Sequence, residues 1–197
     1  HPETIVQVGF NRRYAPMTKE IKEFFKDSIE PMILFYRVNA EHIPKDHLIY
    51  DDKEGKSRFI TELCHFVDFC RCVIDSEIVE SSYYKIDSDS MNEKEIKENV
   101  SLSMKFKDGS IATIIYNTIG DPSFSKEYAE IYSENSFVKL TDFNELVMIR
   151  DGKAKKTKHI LKTEKGHKQD FEEFVYSIKN GKNYIDAFVE VTEITLQ

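Results

Sequence analysis

The chain has 197 residues, enough for one well-buried core and too few for two comfortable ones. Its 28 Lys and Arg against 35 Asp and Glu give a net charge of −7, and no basic cluster is interleaved with aromatic residues, which argues against nucleic acid as a partner. The longest apolar runs, such as Ile111 to Tyr116, are strand-sized, which argues against a membrane span.

Along the chain, Ile5 to Gly9 reads as an opening strand and Ala15 to Asp27 as a helix, with Pro16 in its first turn and Met17, Ile21, Phe24 and Phe25 on its apolar side. Met32 to Asn39 is a strand rich in aromatic and β-branched residues, and a long polar loop follows from Ala40 to Lys56. Ser57 to Asp75 predicts a helix with two faces. Phe59, Leu63, Phe66, Val67, Cys70, Val73 and Ile74 recur at helical period as an apolar stripe. At about 100° per residue, Thr61, His65, Asp68 and Cys72 fall in one narrow sector opposite, with Arg58 and Phe69 beside them and Glu62 at the edge. A histidine, carboxylates and a hydroxyl on a rigid platform are what a helix presents to a cleft for proton transfer, although solvated surface gives the same pattern. Glu77 to Ile86 is a further strand, and the acidic stretch Asp87 to Glu98 suits a short exposed helix.

The second half reads as a strand meander. Asn99 to Lys107 and Ser110 to Thr118 flank Asp108-Gly109, a signal for a two-residue type I′ hairpin that pairs Phe106 with Ile111, Met104 with Thr113 and Leu102 with Ile115. The second of these strands is apolar on both sides, so part of the sheet face away from the helices needs cover, from a partner subunit or from local chain. Strands at Glu127 to Ser133, Phe137 to Thr141 and Glu145 to Arg150 lead through Asp151-Gly152 into Ala154 to Ile160. Two helices close the chain, His167 to Asn180 with Gly181 as its left-handed cap, and a last one from about Ala187.

The three cysteines, Cys64, Cys70 and Cys72, sit on one helical segment, with Cys70 and Cys72 on nearly opposite sides; an odd count in that geometry speaks for reduced thiols and a cytoplasmic home. No metal is expected, because these residues with His42, His47 and His65 show neither C-x-x-C nor H-x-x-x-H spacing. A metal-dependent hydrolase built on His42, His47, His65 and Asp68 would need all four to converge on one ion at about 2.0 to 2.2 Å. The sequence also has no Gly-x-Gly-x-x-Gly, no phosphate loop of the Gly-Lys-Ser/Thr kind and no Gly-x-Ser-x-Gly elbow.

Several strings, in order, carry a resemblance: Val8-Gly9-Phe10-Asn11-Arg12-Arg13-Tyr14-Ala15-Pro16, Arg37-Val38-Asn39-Ala40, Pro44-Lys45-Asp46-His47, the run from Ser57 to Asp68, Lys126-Glu127 and Lys165-Gly166-His167. Together they resemble the C-terminal domain of the glucose-fructose oxidoreductase, inositol dehydrogenase and rhizopine-catabolism family (Gfo/Idh/MocA), most of all its bacterial subgroup linked to surface-polysaccharide and nucleotide-sugar metabolism. The resemblance implies an α+β fold: a large open, mainly antiparallel sheet with helices on one face, of the dihydrodipicolinate reductase-like kind, the other face serving homo-oligomer formation. It implies that residues 1–12 end a Rossmann domain lying before this sequence, and that residues 13–197 form a substrate-binding and dimerisation domain cut short at its C-terminus. NAD or NADP would then be bound mainly by that N-terminal domain, which would also hold the family's catalytic lysine.

The chemistry implied is hydride transfer between the carbinol of a sugar, nucleotide sugar or polyol and nicotinamide, and the base role falls by motif on His65. Many relatives carry an aspartate four residues before this histidine. Here that place is Thr61, which leaves Glu62 and Asp68, one turn to either side, to orient the ring and complete the catalytic set. Asn39, Asp46, His47 and Lys126 are read as substrate contacts, with Lys126 suited to a carboxylate or diphosphate, and Arg13 as a contact on the cofactor side or a partner of a neighbouring acid. The competing reading is a non-catalytic binding or assembly module derived from the same fold, for which Thr61 is the supporting feature.

Overall fold

The computed structural model describes residues 4–43, 58–87, 98–159, 163–183 and 185–196. Asp46 and His47, most of the long loop after Ala40 and most of the acidic stretch before Glu98 lie outside the described residues.

Alternation at period two gives most strands in the middle of the chain one buried face, the two edge strands excepted. There are eight among the described residues: β1 (Ile33–Asn39), β2 (Ile78–Lys85), β3 (Val100–Phe106), β4 (Ile111–Asn117), β5 (Glu127–Ser133), β6 (Ser136–Thr141), β7 (Glu145–Arg150) and β8 (Lys153–Lys158). They form one sheet in the order β2-β3-β4-β1-β5-β6-β7-β8, antiparallel throughout except for the parallel pair β1 and β4. Leu102, Ile114, Tyr36, Ala129, Leu140 and Leu146 form one buried row across six strands, where the small Ala129 makes room beside the Tyr36 ring.

The helices α1 (Pro16–Phe25), α2 (Arg58–Ile74), α3 (His167–Asn180) and α4 (Ile185–Leu196), with the 3-10 turn η1 (Asn11–Tyr14), lie over that buried face. On α2, Phe66 packs against Tyr36 and Tyr116, and Phe69 against Tyr36 and Phe143. Each such fully buried ring contributes about 2 to 3 kcal/mol of hydrophobic stabilisation. The helix α4 closes the outer side of α2, where Glu190 accepts from Arg71 and from the backbone N–H of Ile78 at 2.6 Å, tying helix to sheet. This is the α+β architecture expected, a large open, mainly antiparallel sheet with helices on one face.

Three expectations change. Residues 4–10 form no strand: none of the eight strands lies beside them, and Gln7 is fastened instead to α3, its amide donating to the Asp170 carboxylate at 2.6 Å. The β3–β4 hairpin is displaced by one residue, with Met104 opposite Ala112 and Leu102 opposite Ile114. Its loop has three residues, Lys107, Asp108 and Gly109, with only Gly109 left-handed at φ +92, the bulged type I turn rather than the two-residue type I′. A one-residue slip exchanges faces. Ile111, Thr113 and Ile115 therefore stand on the open face, while Ala112, Ile114 and Tyr116 face the helices. Finally, the polar side of α2 does not act as one face: Thr61 is exposed, while Asp68, expected beside His65, is completely buried beneath η1 and paired with Arg13.

Candidate active site

The tripeptide Asn11-Arg12-Arg13 seeds the site. In a 3-10 turn successive side chains diverge by about 120°, so the two arginines reach in different directions. Arg12 grips Glu127 with two hydrogen bonds, Nε at 2.8 Å and Nη2 at 3.0 Å, and its guanidinium lies 4.6 Å from the centre of the Phe66 ring. Arg13 forms the equivalent fork with Asp68, Nε to Oδ2 at 2.9 Å and Nη2 to Oδ1, and faces the Phe188 ring.

Glu127 is the hub of the cleft floor. Its side chain is 1% exposed and accepts from Arg12, from the Tyr36 hydroxyl at 2.8 Å and from the Lys165 ammonium. Burial alone would raise this carboxyl; the Arg12 fork, helped by Lys165, overrides it and holds it at about 2. Lys165 is delivered by the segment before α3, and Gly166 behind it has φ +87. A Cβ there would fall 2.2 Å from the Asn11 carbonyl oxygen, so this close approach of two backbones requires glycine.

Above that floor, Gly9, Asn11, Arg12, Glu62, His65, Phe66, Lys126, Lys165 and His167 enclose a cleft of about 320 Å³. Asn11 donates to the Lys165 carbonyl at 2.7 Å, and its amide is 3.5 Å from Nε2 of His167. Glu62 accepts from the Tyr116 hydroxyl at 2.8 Å and faces the Lys126 ammonium at 4.0 Å. The His65 ring packs edge-on against Phe10, and its Nδ1 is buried with no hydrogen-bond partner among the described residues. Burial first, and then the nearby Arg12 charge, push His65 down to about 4, against the pull of Glu62 and Glu127. The imidazole is therefore neutral at neutral pH, and one of its two ring nitrogens is an acceptor.

Of the residues singled out in the sequence, His65, Glu62 and Lys126 meet in this cleft. Asp68 does not line it: its partner is Arg13, and burial pushes its carboxyl up. Arg13 thus takes the second of its two expected roles, pairing with a neighbouring acid. Asn39 also lies away from the cleft lining. Its amide nitrogen donates to the Asp121 carbonyl at 2.8 Å and its backbone N–H to the Lys126 carbonyl at 2.7 Å, so it secures the loop that carries Lys126. Arg37 points to the open face and donates to the Ser125 carbonyl and hydroxyl, both at 2.7 Å. Arg12, Glu127, Lys165 and His167 were missed as site residues, although their strings had been marked by the resemblance. Among the described residues no group of three His, Cys, Asp or Glu side chains is placed to hold a metal ion, and no helix is long and apolar enough to cross a membrane.

No family model matches the chain, and no curated protein matches it. Solved structures do. A dehydrogenase (MviM) from Clostridium difficile superposes with a TM-score of 0.71 at 20% identity, covering 98% of this chain and 61% of that one. UDP-N-acetylglucosamine 3-dehydrogenase GnnA from Acidithiobacillus ferrooxidans gives 0.75 at 14% identity, covering 98% and 60%. A Desulfitobacterium hafniense protein assigned as an NADPH-dependent oxidoreductase gives 0.75 at 13% identity, covering 98% and 61%. The chain spans about three-fifths of the length of these structures. Its fold is the one found in Gfo/Idh/MocA-type dehydrogenases and oxidoreductases, and fits their C-terminal domain.

Proposed function

We propose that this chain is the substrate-binding and oligomerisation part of a longer NAD(P)-dependent oxidoreductase acting on the carbinol of a sugar, nucleotide sugar or polyol. The observation that carries the reading is a neutral His65 lining a polar cleft beside Lys126 and Lys165. A neutral imidazole is the acceptor a substrate hydroxyl requires if its proton is to leave as its carbon is oxidised. Nicotinamide, when bound, supplies the hydride acceptor. In this chain Lys126 and Lys165 orient substrate oxygens, the neutral His65 ring takes the carbinol proton, and Glu62 and Glu127 stabilise the imidazolium that results. The residues here suit substrate rather than dinucleotide, because Arg13, the one expected to face the cofactor, is occupied by Asp68. The dinucleotide-binding part and the boundary near residue 12 belong to the same proposal; the part has support in the length of the similar structures, of which this chain spans about three-fifths.

Oligomerisation through the open sheet face is supported by its apolar character. Ile33, Ile111 and Tyr132 are 54%, 45% and 42% exposed there, and Tyr84 and Ile115 border a shallow hollow. In the full-length protein, His65→Asn is expected to lower kcat by about 10²- to 10⁴-fold with dinucleotide affinity unchanged. Retained turnover would remove His65 from the role of base. The alternative, a non-catalytic binding module of the same fold, is favoured by one observation: a pKa of about 4 is below the range in which a base works best at neutral pH. Sugar binding without turnover in the full-length protein would decide for it.

A further inference from the structure

The cleft around His65 departs from the acidity of the chain. The whole sequence carries −7, yet three cationic side chains, Arg12, Lys126 and Lys165, meet two carboxylates here, Glu62 and Glu127. The two acids are already engaged. Glu127 is enclosed by Arg12, Tyr36 and Lys165, and Glu62 accepts from Tyr116. The lysines are engaged differently. An ammonium has three donors. Lys165 commits one of them to Glu127 while its side chain remains 26% exposed, and Lys126 is 42% exposed with Glu62 at 4.0 Å, the outer limit of an ion pair. Both carboxylates thus already hold protein donors, whereas Lys126 and Lys165 keep ammonium donors for the cleft. Among the described residues, a neutral polyol would leave one positive charge uncompensated in a half-enclosed space; an anionic group would neutralise it through charge-assisted hydrogen bonds.

We propose that the substrate carries an anionic substituent, a carboxylate or a phosphate, held by Lys126 and Lys165, and that Lys165 is a specificity-determining residue of the site. The proposal rests on the reading of this cleft as a sugar-binding site. Glu127, the shared partner of Lys165 and Arg12, anchors both cations from the cavity floor and has its own acceptors occupied by Arg12, Tyr36 and Lys165, so it offers the ligand no competing acceptor.

The test is a titration of the 197-residue chain with D-glucuronate, D-glucose 6-phosphate and D-glucose at constant ionic strength, followed by the NMR signals of the His65 and His167 rings. At least one anionic sugar is expected to bind tenfold or more tighter than D-glucose. The tighter of the two anions identifies the group as carboxylate or phosphate. Lys165→Met and Lys126→Met are each expected to remove most of that preference; if the Lys165 variant fails to fold, the Lys126 variant decides alone. Equal affinity for all three sugars, a preference kept in the variants, or no binding of either anion at tens of millimolar overturns the proposal. Its failure is distinguishable from failure of the oxidoreductase reading. Equal binding of the three sugars with turnover lost in His65→Asn removes only the anionic substituent, and selective binding of an anion without turnover removes only the oxidoreductase.

Discussion

Replacing Glu127 by glutamine keeps the shape of the cleft floor and removes its negative charge. Glu127 is held at about 2 against an ordinary value of 4.5, and this difference corresponds to about 3 kcal/mol of folding stability at neutral pH. The sign follows from the direction of the shift. A carboxyl lowered by folding contributes fully above its unfolded value, and the contribution is lost as pH falls from about 4.5 toward about 2. The cost can reach about 3 to 5 kcal/mol, because Arg12 and Lys165 would be left with uncompensated charge in a buried setting. Urea denaturation of the chain and of Glu127→Gln should therefore show a gap of about 3 kcal/mol or more at pH 7, with the charge-dependent part narrowing to about 2 kcal/mol at pH 3.5. A gap below about 1 kcal/mol at pH 7, or one that does not narrow in acid, would refute the assignment of Glu127 as the charged hub.

The His65 ring should titrate near 4 by NMR rather than at its ordinary 6.5. Because folding lowers this value, its contribution to stability is present above about 6.5 and is lost as pH falls toward about 4, so a ring titrating at 6.5 would contradict the buried placement. Gly166→Ala should cost more than about 2 kcal/mol in thermal or urea denaturation, since φ +87 is strained for alanine and the added Cβ meets backbone atoms that cannot swing away. Unchanged stability would mean that the Lys165 segment does not approach η1 as described. The double substitution Ile111→Asp with Tyr132→Glu on the open face should reduce the sedimentation mass to that of a single chain. If the parent chain already sediments as a monomer, the sheet face is not an interface.

Local chemistry made the elements legible. The alternation of β5 and β7 and the Gly181 cap of α3, which is left-handed at φ +64, could be placed from residues alone. The two Asp-Gly pairs show where that reading stops. Asp151 and Gly152 both adopt positive φ and close a two-residue turn, with Arg150 opposite Lys153. At Asp108-Gly109 only the glycine does, because Asp108 instead turns its carboxylate back to the N–H and hydroxyl of Ser110. One dipeptide serves both turn types, and the choice depends on contacts outside it. The site was less legible for the same reason. His65, Glu62 and Lys126 share the cleft as their strings suggest, but Asp68, expected to orient His65, is drawn under η1 by Arg13, a partner 55 residues away that helical spacing does not register. Arg12, Glu127 and Lys165 come together from three distant parts of the chain, and no spacing in the sequence records that meeting.

The position of β1 has a consequence for how this molecule is made. Ile33 lies between Ile111 of β4 and Tyr132 of β5, so a strand near the start waits for neighbours about 80 and about 100 residues later, a long loop to close before any reward in contacts. The consecutive hairpins from β5 to β8 face no such delay. During synthesis β1 emerges with both edges bare; one edge is covered when β4 is made and the other only when β5 follows. The central strand of the finished sheet thus waits about 100 residues for its second edge to be covered, and over that interval its apolar residues are open to aggregation.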